Sequence, residues 1–154
     1  MRSLRWIALT SALISAVVLA PSSKAAPDDA CVLLTQAQVS EAVGAQVSAG
    51  RYTTPTFKKT CTWVVPAGSE IITLMLQSAE MYQSGKSLPP SPSVSVIPVS
   101  GVGDDAYYIA VGTNAGLIVK KGDVAFKVSV YSHEPLQKKE ATEKKLALEV
   151  IAKL

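Results

Sequence analysis

Histidine is nearly missing from this chain of 154 residues: His133 stands alone, and only two cysteines, Cys31 and Cys61, accompany it. A structural zinc site takes three or four such ligands, so one histidine and no CxxC leave no expected metal centre. The same scarcity narrows catalysis. A Ser-His-Asp arrangement needs only one histidine, but it is normally announced by a GxSxG elbow, and the chain contains none. Cysteine-histidine catalysis needs a free thiol, and two cysteines in an exported chain are expected to form a disulfide. His133, in "YSHEP", reads as a polar residue at a strand-to-helix junction.

Long apolar runs are also lacking, with one exception at the start. Arg2 and Arg5 precede "WIALTSALISAVVLA", residues 6–20, which falls short of the roughly 20 residues a membrane span requires. Pro21 follows, and Ser23-Lys24-Ala25 offers small residues at the positions a signal peptidase reads. Residues 1–25 are therefore expected to be a secretory signal, and residues 26–154 a single domain. Cys31 follows "DDA" rather than the small apolar residues that precede a lipidated cysteine, so no lipid anchor is expected.

Removing the signal changes the charge. The full chain has 15 basic and 12 acidic residues, formally +3. Arg2, Arg5 and Lys24 leave with the signal, so residues 26–154 hold 12 of each, and binding to nucleic acid or an anionic membrane by bulk charge is not expected. In an exported protein the default for two cysteines is a disulfide, here closing a loop of about 31 residues.

The pattern along the chain is α+β. Thr35 with Gln38 three residues later forms a capping box, Leu34 and Val39 a hydrophobic staple, and Gly44 a terminator, so a short helix is expected. Ala45–Thr54 reads as a strand, Pro55–Thr60 as a connector, and Cys61–Val65 with Glu70–Gln77 as a hairpin. Cys61, Trp63 and Val65 share one face of that strand. A short helix is expected at Ala79–Ser84. The Pro/Ser-rich stretch 84–95 reads as a surface loop, either a flap over a groove or disordered. Strands follow at Val94–Val99, Ala106–Val111, Leu117–Lys121 and Val124–Tyr131, with turns at "GTNAG" and Gly122-Asp123. Leu136–Leu154 has helical periodicity, with Leu146, Val150 and Leu154 on one face. Glu140–Lys144 and Glu149–Lys153 are spaced as ion pairs on a solvated one. The expected fold is an antiparallel β-sheet flanked by a short N-terminal and a long C-terminal helix.

The segment "GVGDDAYY", residues 101–108, invites a functional reading. A P-loop needs GxxxxGK[ST] leading into a helix, and a calcium loop needs oxygen ligands at alternating positions. A glycosidase pair needs carboxyls facing each other, whereas Asp104 and Asp105 are adjacent in the chain and point apart. A turn stabilised by Gly and Asp remains. Two further features are candidates for binding. Lys58, Lys59, Lys120 and Lys121, near Phe57 and Phe126, either form one basic ligand patch or are scattered solvated lysines. Met81 and Tyr82 sit at the base of the 84–95 loop.

Together, "CVLLTQAQVSEAVGAQV", "CTWVV", "VSGVGDDAYYIAVG", "LIVKKGDVAFKVSVY" and "LALEVIAKL" resemble a family of small bacterial cell-envelope proteins of unknown function, many of them lipoproteins. Members place a cysteine before a short helix, a Cys-Thr-Trp strand and a Gly-x-Gly-Asp-x-Ala-Tyr turn. The resemblance implies a PsbP-like α/β sandwich. It implies structural roles for Cys31, Cys61, Trp63, Gly103, Asp104 and Tyr107, and it transfers no catalytic residue. This chain departs from the family in lacking a lipidation cysteine. The expectation is an exported, non-enzymatic binding or accessory protein without a cofactor. It would be monomeric, contacting an envelope protein or a small ligand. The alternative is a periplasmic carrier of a small apolar or anionic ligand.

Overall fold

The computed structural model describes residues 26–66, 68 and 70–154, so the expected signal peptide, 1–25, lies outside the described residues. A 3-10 turn at Ala30–Val32 leads into helix α1, Gln36–Val43. Strands β1, Arg51–Thr54, β2, Phe57–Val64, and β3, Ile71–Gln77, follow. Helix α2, Ala79–Lys86, connects to β4, Val94–Val99, β5, Asp105–Val111, β6, Asn114–Lys121, and β7, Val124–Tyr131. Helix α3, Leu136–Ile151, ends the fold. The seven strands form one antiparallel sheet in the order β1-β2-β3-β7-β6-β5-β4, the expected α+β class.

Strand alternation assigns the two faces. Trp63, Ile72, Leu74, Leu117, Phe126 and Val128 point to one face, where Leu146, Ala147 and Val150 of α3 and Val39 of α1 close the main core. The opposite face is covered only in part: Tyr82 of α2 packs there on Tyr107, Ile118 and Ala125. Cys31 and Cys61 are joined by a disulfide, with Cα atoms 5.0 Å apart, which ties the 3-10 turn to the core face of β2 beside Trp63. The capping box is formed as expected, and Gly44 ends α1 in the left-handed conformation.

Several boundaries differ from the sequence reading, each for a packing reason. Of the expected strand 45–54 only Arg51–Thr54 forms regular strand. Before it the chain is held by a backbone bond from Ser48 N–H to Val64 O and by side chains: Ser40 Oγ accepts from Val47 N–H, and Ser48 Oγ from Val64 N–H. Gly50 then passes so close to Trp63 and Cys61 that a Cβ would lie 2.8 Å from the indole nitrogen. The expected connector 55–60 is mostly strand, because Phe57 already pairs with Thr54 across a tight hairpin. Helix α2 runs on to Lys86, since Gly85 lets its last turn settle on Tyr107 and Ile109, and the loop shrinks to 87–93. The turn expected through Gly116 is only Gly112-Thr113, and β6 begins at Asn114. Pro135 is the N-cap of α3, and the helix stops at Ile151.

Candidate functional site

The "GVGDDAYY" segment is a junction that sends each side chain to a different element. Gly101 and Gly103 have φ of 76° and 63°, and a Cβ on Gly103 would stand 2.5 Å from the Lys120 carbonyl oxygen. Val102 is buried between them in the core. Asp104 accepts from the Gly122 N–H at 2.7 Å and pairs with Lys121 at 2.8 Å, so it braces the β6–β7 turn. Those two contacts, the backbone bond foremost, hold its carboxyl below the usual aspartate range. Asp105 turns the other way and pairs with Lys86 at the end of α2. That hydrogen bond lowers its pKa.

The adjacent tyrosines divide in the same manner. Tyr107 donates to the Tyr82 carbonyl of α2 at 2.7 Å, and Tyr108 donates to the Glu140 carbonyl of α3 at 2.8 Å. Two consecutive strand residues thus pin helices on opposite faces of the sheet. Tyr82 itself is 1 % exposed and stacks edge-on against Tyr107, with ring centroids 5.3 Å apart. Burial, then the neighbouring Asp105 carboxylate, raises the pKa of its hydroxyl, which makes no hydrogen bond of standard geometry.

The four candidate lysines do not converge. Lys58 and Lys59 lie on β2, Lys120 and Lys121 on β6, with β3 and β7 between them. Three strand spacings separate the pairs, on the order of 14 Å. Lys58 is 3.9 Å from Asp29, Lys121 is paired with Asp104, and Lys120 lies across from Asp105. Phe126 belongs to the main core and cannot front a surface patch. His133 is exposed at the junction before α3.

Two grooves flank α2. The larger, about 540 Å³, lies between residues 86–91 and the β4–β5 edge; Leu88, Pro90, Val94, Val96 and Pro98 line it with Lys86 and Asp105. The shortened Pro/Ser segment is therefore one wall of a groove. The smaller, about 340 Å³, gathers Phe57, Lys59, Leu76, Gln77 and Met81. Phe57 and Met81 are half exposed there. By contrast, the cavity beside Lys138 and Lys139 of α3 is about 10 Å³, room for one water. Among the described residues, no three His, Cys, Asp or Glu side chains are grouped to hold a metal ion. No helix of the described residues is long and apolar enough to cross a membrane.

Sequence reasoning missed two buried charges on α3. Lys139, 2 % exposed, donates to Thr113 O at 2.5 Å and Asn114 Oδ1 at 3.2 Å. Glu143, 0 % exposed, accepts from Val130 N–H at 2.8 Å through Oε1, while Oε2 has no partner. Burial raises its pKa to about 8 against the pull of that hydrogen bond. The available signal was the i, i+4 spacing of Lys139 and Glu143 with Leu136, Leu146, Ala147 and Val150, which continues the apolar face. The chain matches no protein-family model, no curated protein and no solved structure.

Proposed function

We propose that this chain is an exported, non-enzymatic binding or accessory protein of the bacterial cell envelope, receiving an extended segment of a partner in the groove beside β4. The observation that carries the reading is the groove itself: about 540 Å³, open along an edge strand, apolar on most sides, with the Lys86–Asp105 pair as its charged feature. Binding sites are concave and mostly apolar, with a few polar groups that fix orientation. Pro90 and Pro98 lower the conformational freedom of the walls, so less ordering accompanies binding. The Cys31–Cys61 disulfide is compatible with an oxidising compartment.

A photoreactive residue at Pro90, set against one at Leu148 on the far side of the sheet, tests this in the exporting bacterium. A protein that crosslinks from position 90 alone, and is lost when Leu88 becomes Asp, supports the reading. Equal labelling from both positions ends it. A second reading, a carrier of a small apolar or anionic ligand, rests on the smaller groove, where Phe57 and Met81 flank Lys59. Native mass spectrometry decides that one. An added mass that disappears on denaturation and on Met81→Asp favours the carrier.

A further inference from the structure

Gly116 lies within β6, buried, on the partly covered face of the sheet. It is needed there for space rather than for backbone freedom. A Cβ would stand 2.6 Å from Ser129 Oγ and 3.1 Å from Lys127 Nζ. The lysine stem therefore crosses the place where a side chain would be, and both polar groups lie beside it.

The surrounding residues form a row across the strands. Ser129 pairs with Thr73, and Thr73 with Thr62, so the floor beyond Gly116 is lined with hydroxyls. Lys127 and Met75 pair on one side of that row, Tyr131 and Ile71 on the other. Tyr131 and Ile71 are both more than two-fifths exposed. Ser129 is 1 % exposed, and its Oγ has no hydrogen-bond partner, a rare state for a buried hydroxyl. The Lys127 side chain, among the described residues, makes neither a hydrogen bond nor an ion pair. The carboxyl that feels its charge is Glu143, which packs on the opposite face and stays protonated up to about pH 8.

A neighbouring ammonium and hydroxyl, both unpartnered, supply donors and a positive charge. We propose that Lys127, Ser129 and Gly116 form an anion site that takes a carboxylate or phosphate oxygen. Lys127 Nζ supplies the charge, Gly116 leaves room for the lysine stem to lie against the sheet, and Ser129 Oγ donates a hydrogen bond when that stem swings aside. Tyr131 and Ile71 cover an apolar body attached to the anion. This site is separate from both grooves, and its test is independent of theirs.

The test is an NMR titration of the 15N-labelled protein with benzoate, phenyl phosphate and inorganic phosphate. Saturable shifts are expected at the amides of Gly116, Ser129 and Thr73 with at least one probe. Lys127→Met and Ser129→Ala should each weaken binding about tenfold, as expected for loss of a charge-assisted hydrogen bond. Lys120→Met, which removes a lysine paired across from Asp105, should change it less than about twofold, in line with a screened surface charge. Gly116→Ala should displace the Lys127 stem and weaken binding; if it does not fold, Ser129→Ala, which removes one oxygen, carries the same weight. A response to phenyl phosphate alone or benzoate alone assigns the anion. No saturable shift at these amides with any probe, or unchanged affinity in Lys127→Met, overturns the proposal.

Discussion

Replacing Glu143 with Gln should change how the stability of this protein depends on pH. In the unfolded chain the carboxyl gives up its proton near pH 4.5, whereas in the fold burial holds it until about pH 8. Unfolding between those values therefore releases a proton, and rising pH favours it. Each pH unit across the window costs the fold about 1.4 kcal/mol, so wild type should lose roughly 4–5 kcal/mol from pH 4.5 to 8 through this one group. Below the window the carboxyl is neutral in both states, above it ionised in both, and neither region adds slope. The Gln variant keeps the acceptor for Val130 N–H, but its amide nitrogen takes the place of Oε2, which has no partner. Neutral Glu143 itself carries its proton on that unpartnered oxygen, so an unpaired buried donor burdens both proteins near pH 5. The two curves should therefore start close together and diverge as pH rises. Wild type and variant should be of similar stability near pH 5, and the variant the more stable above pH 8. Urea unfolding of both proteins from pH 5 to 9, with the disulfide intact, measures this, and groups common to both cancel in the difference. Parallel curves through the window would refute the reasoning, because they would mean that Glu143 is ionised in the fold.

Removing the Cys31–Cys61 bridge, by Ser at both positions, should lower stability by about 3–4 kcal/mol through the freedom regained by the unfolded loop. Equal urea midpoints for wild type and variant would count against it. Gly50→Ala places a methyl 2.8–2.9 Å from Trp63 and Cys61, so an overpacking loss of about 1–3 kcal/mol is expected in thermal unfolding. Tyr107→Phe and Tyr108→Phe each remove a hydroxyl from a carbonyl, at a cost of roughly 1 kcal/mol. Hydrogen exchange should separate them: the first should loosen α2 and leave α3 protected, the second the reverse. Thr35→Ala should cost about 1 kcal/mol by opening the capping box of α1, read as a lower Tm.

Much of the local structure was legible because it depends on neighbours in the chain. The Thr35–Gln38 box and Gly44 define α1 within a few residues of themselves, and the outcome agrees. Strands β4 and β7 begin and end at Val94–Val99 and Val124–Tyr131 as their alternation indicates. Residues 57–60, "FKKT", were missed as strand because the first two side chains are exposed and no alternation marks them. The region around Gly116 was misread for a related cause. Glycine in a turn and glycine under a lysine stem look alike until the partner strand is known.

By itself, then, the sequence determined the fold class, the α1 cap, the pairing of its two cysteines and the opposed directions of Asp104 and Asp105. The tertiary structure decided which strands are neighbours. Placing β7 between β3 and β6 separates Lys58 and Lys59 from Lys120 and Lys121 and brings Lys127 and Ser129 to Gly116. It also decided that Lys139 and Glu143 face the sheet rather than water. The reason is range. Helical and strand periods relate residues two to four apart, while charge burial and site geometry depend on contacts made across the sheet between residues far apart in the chain.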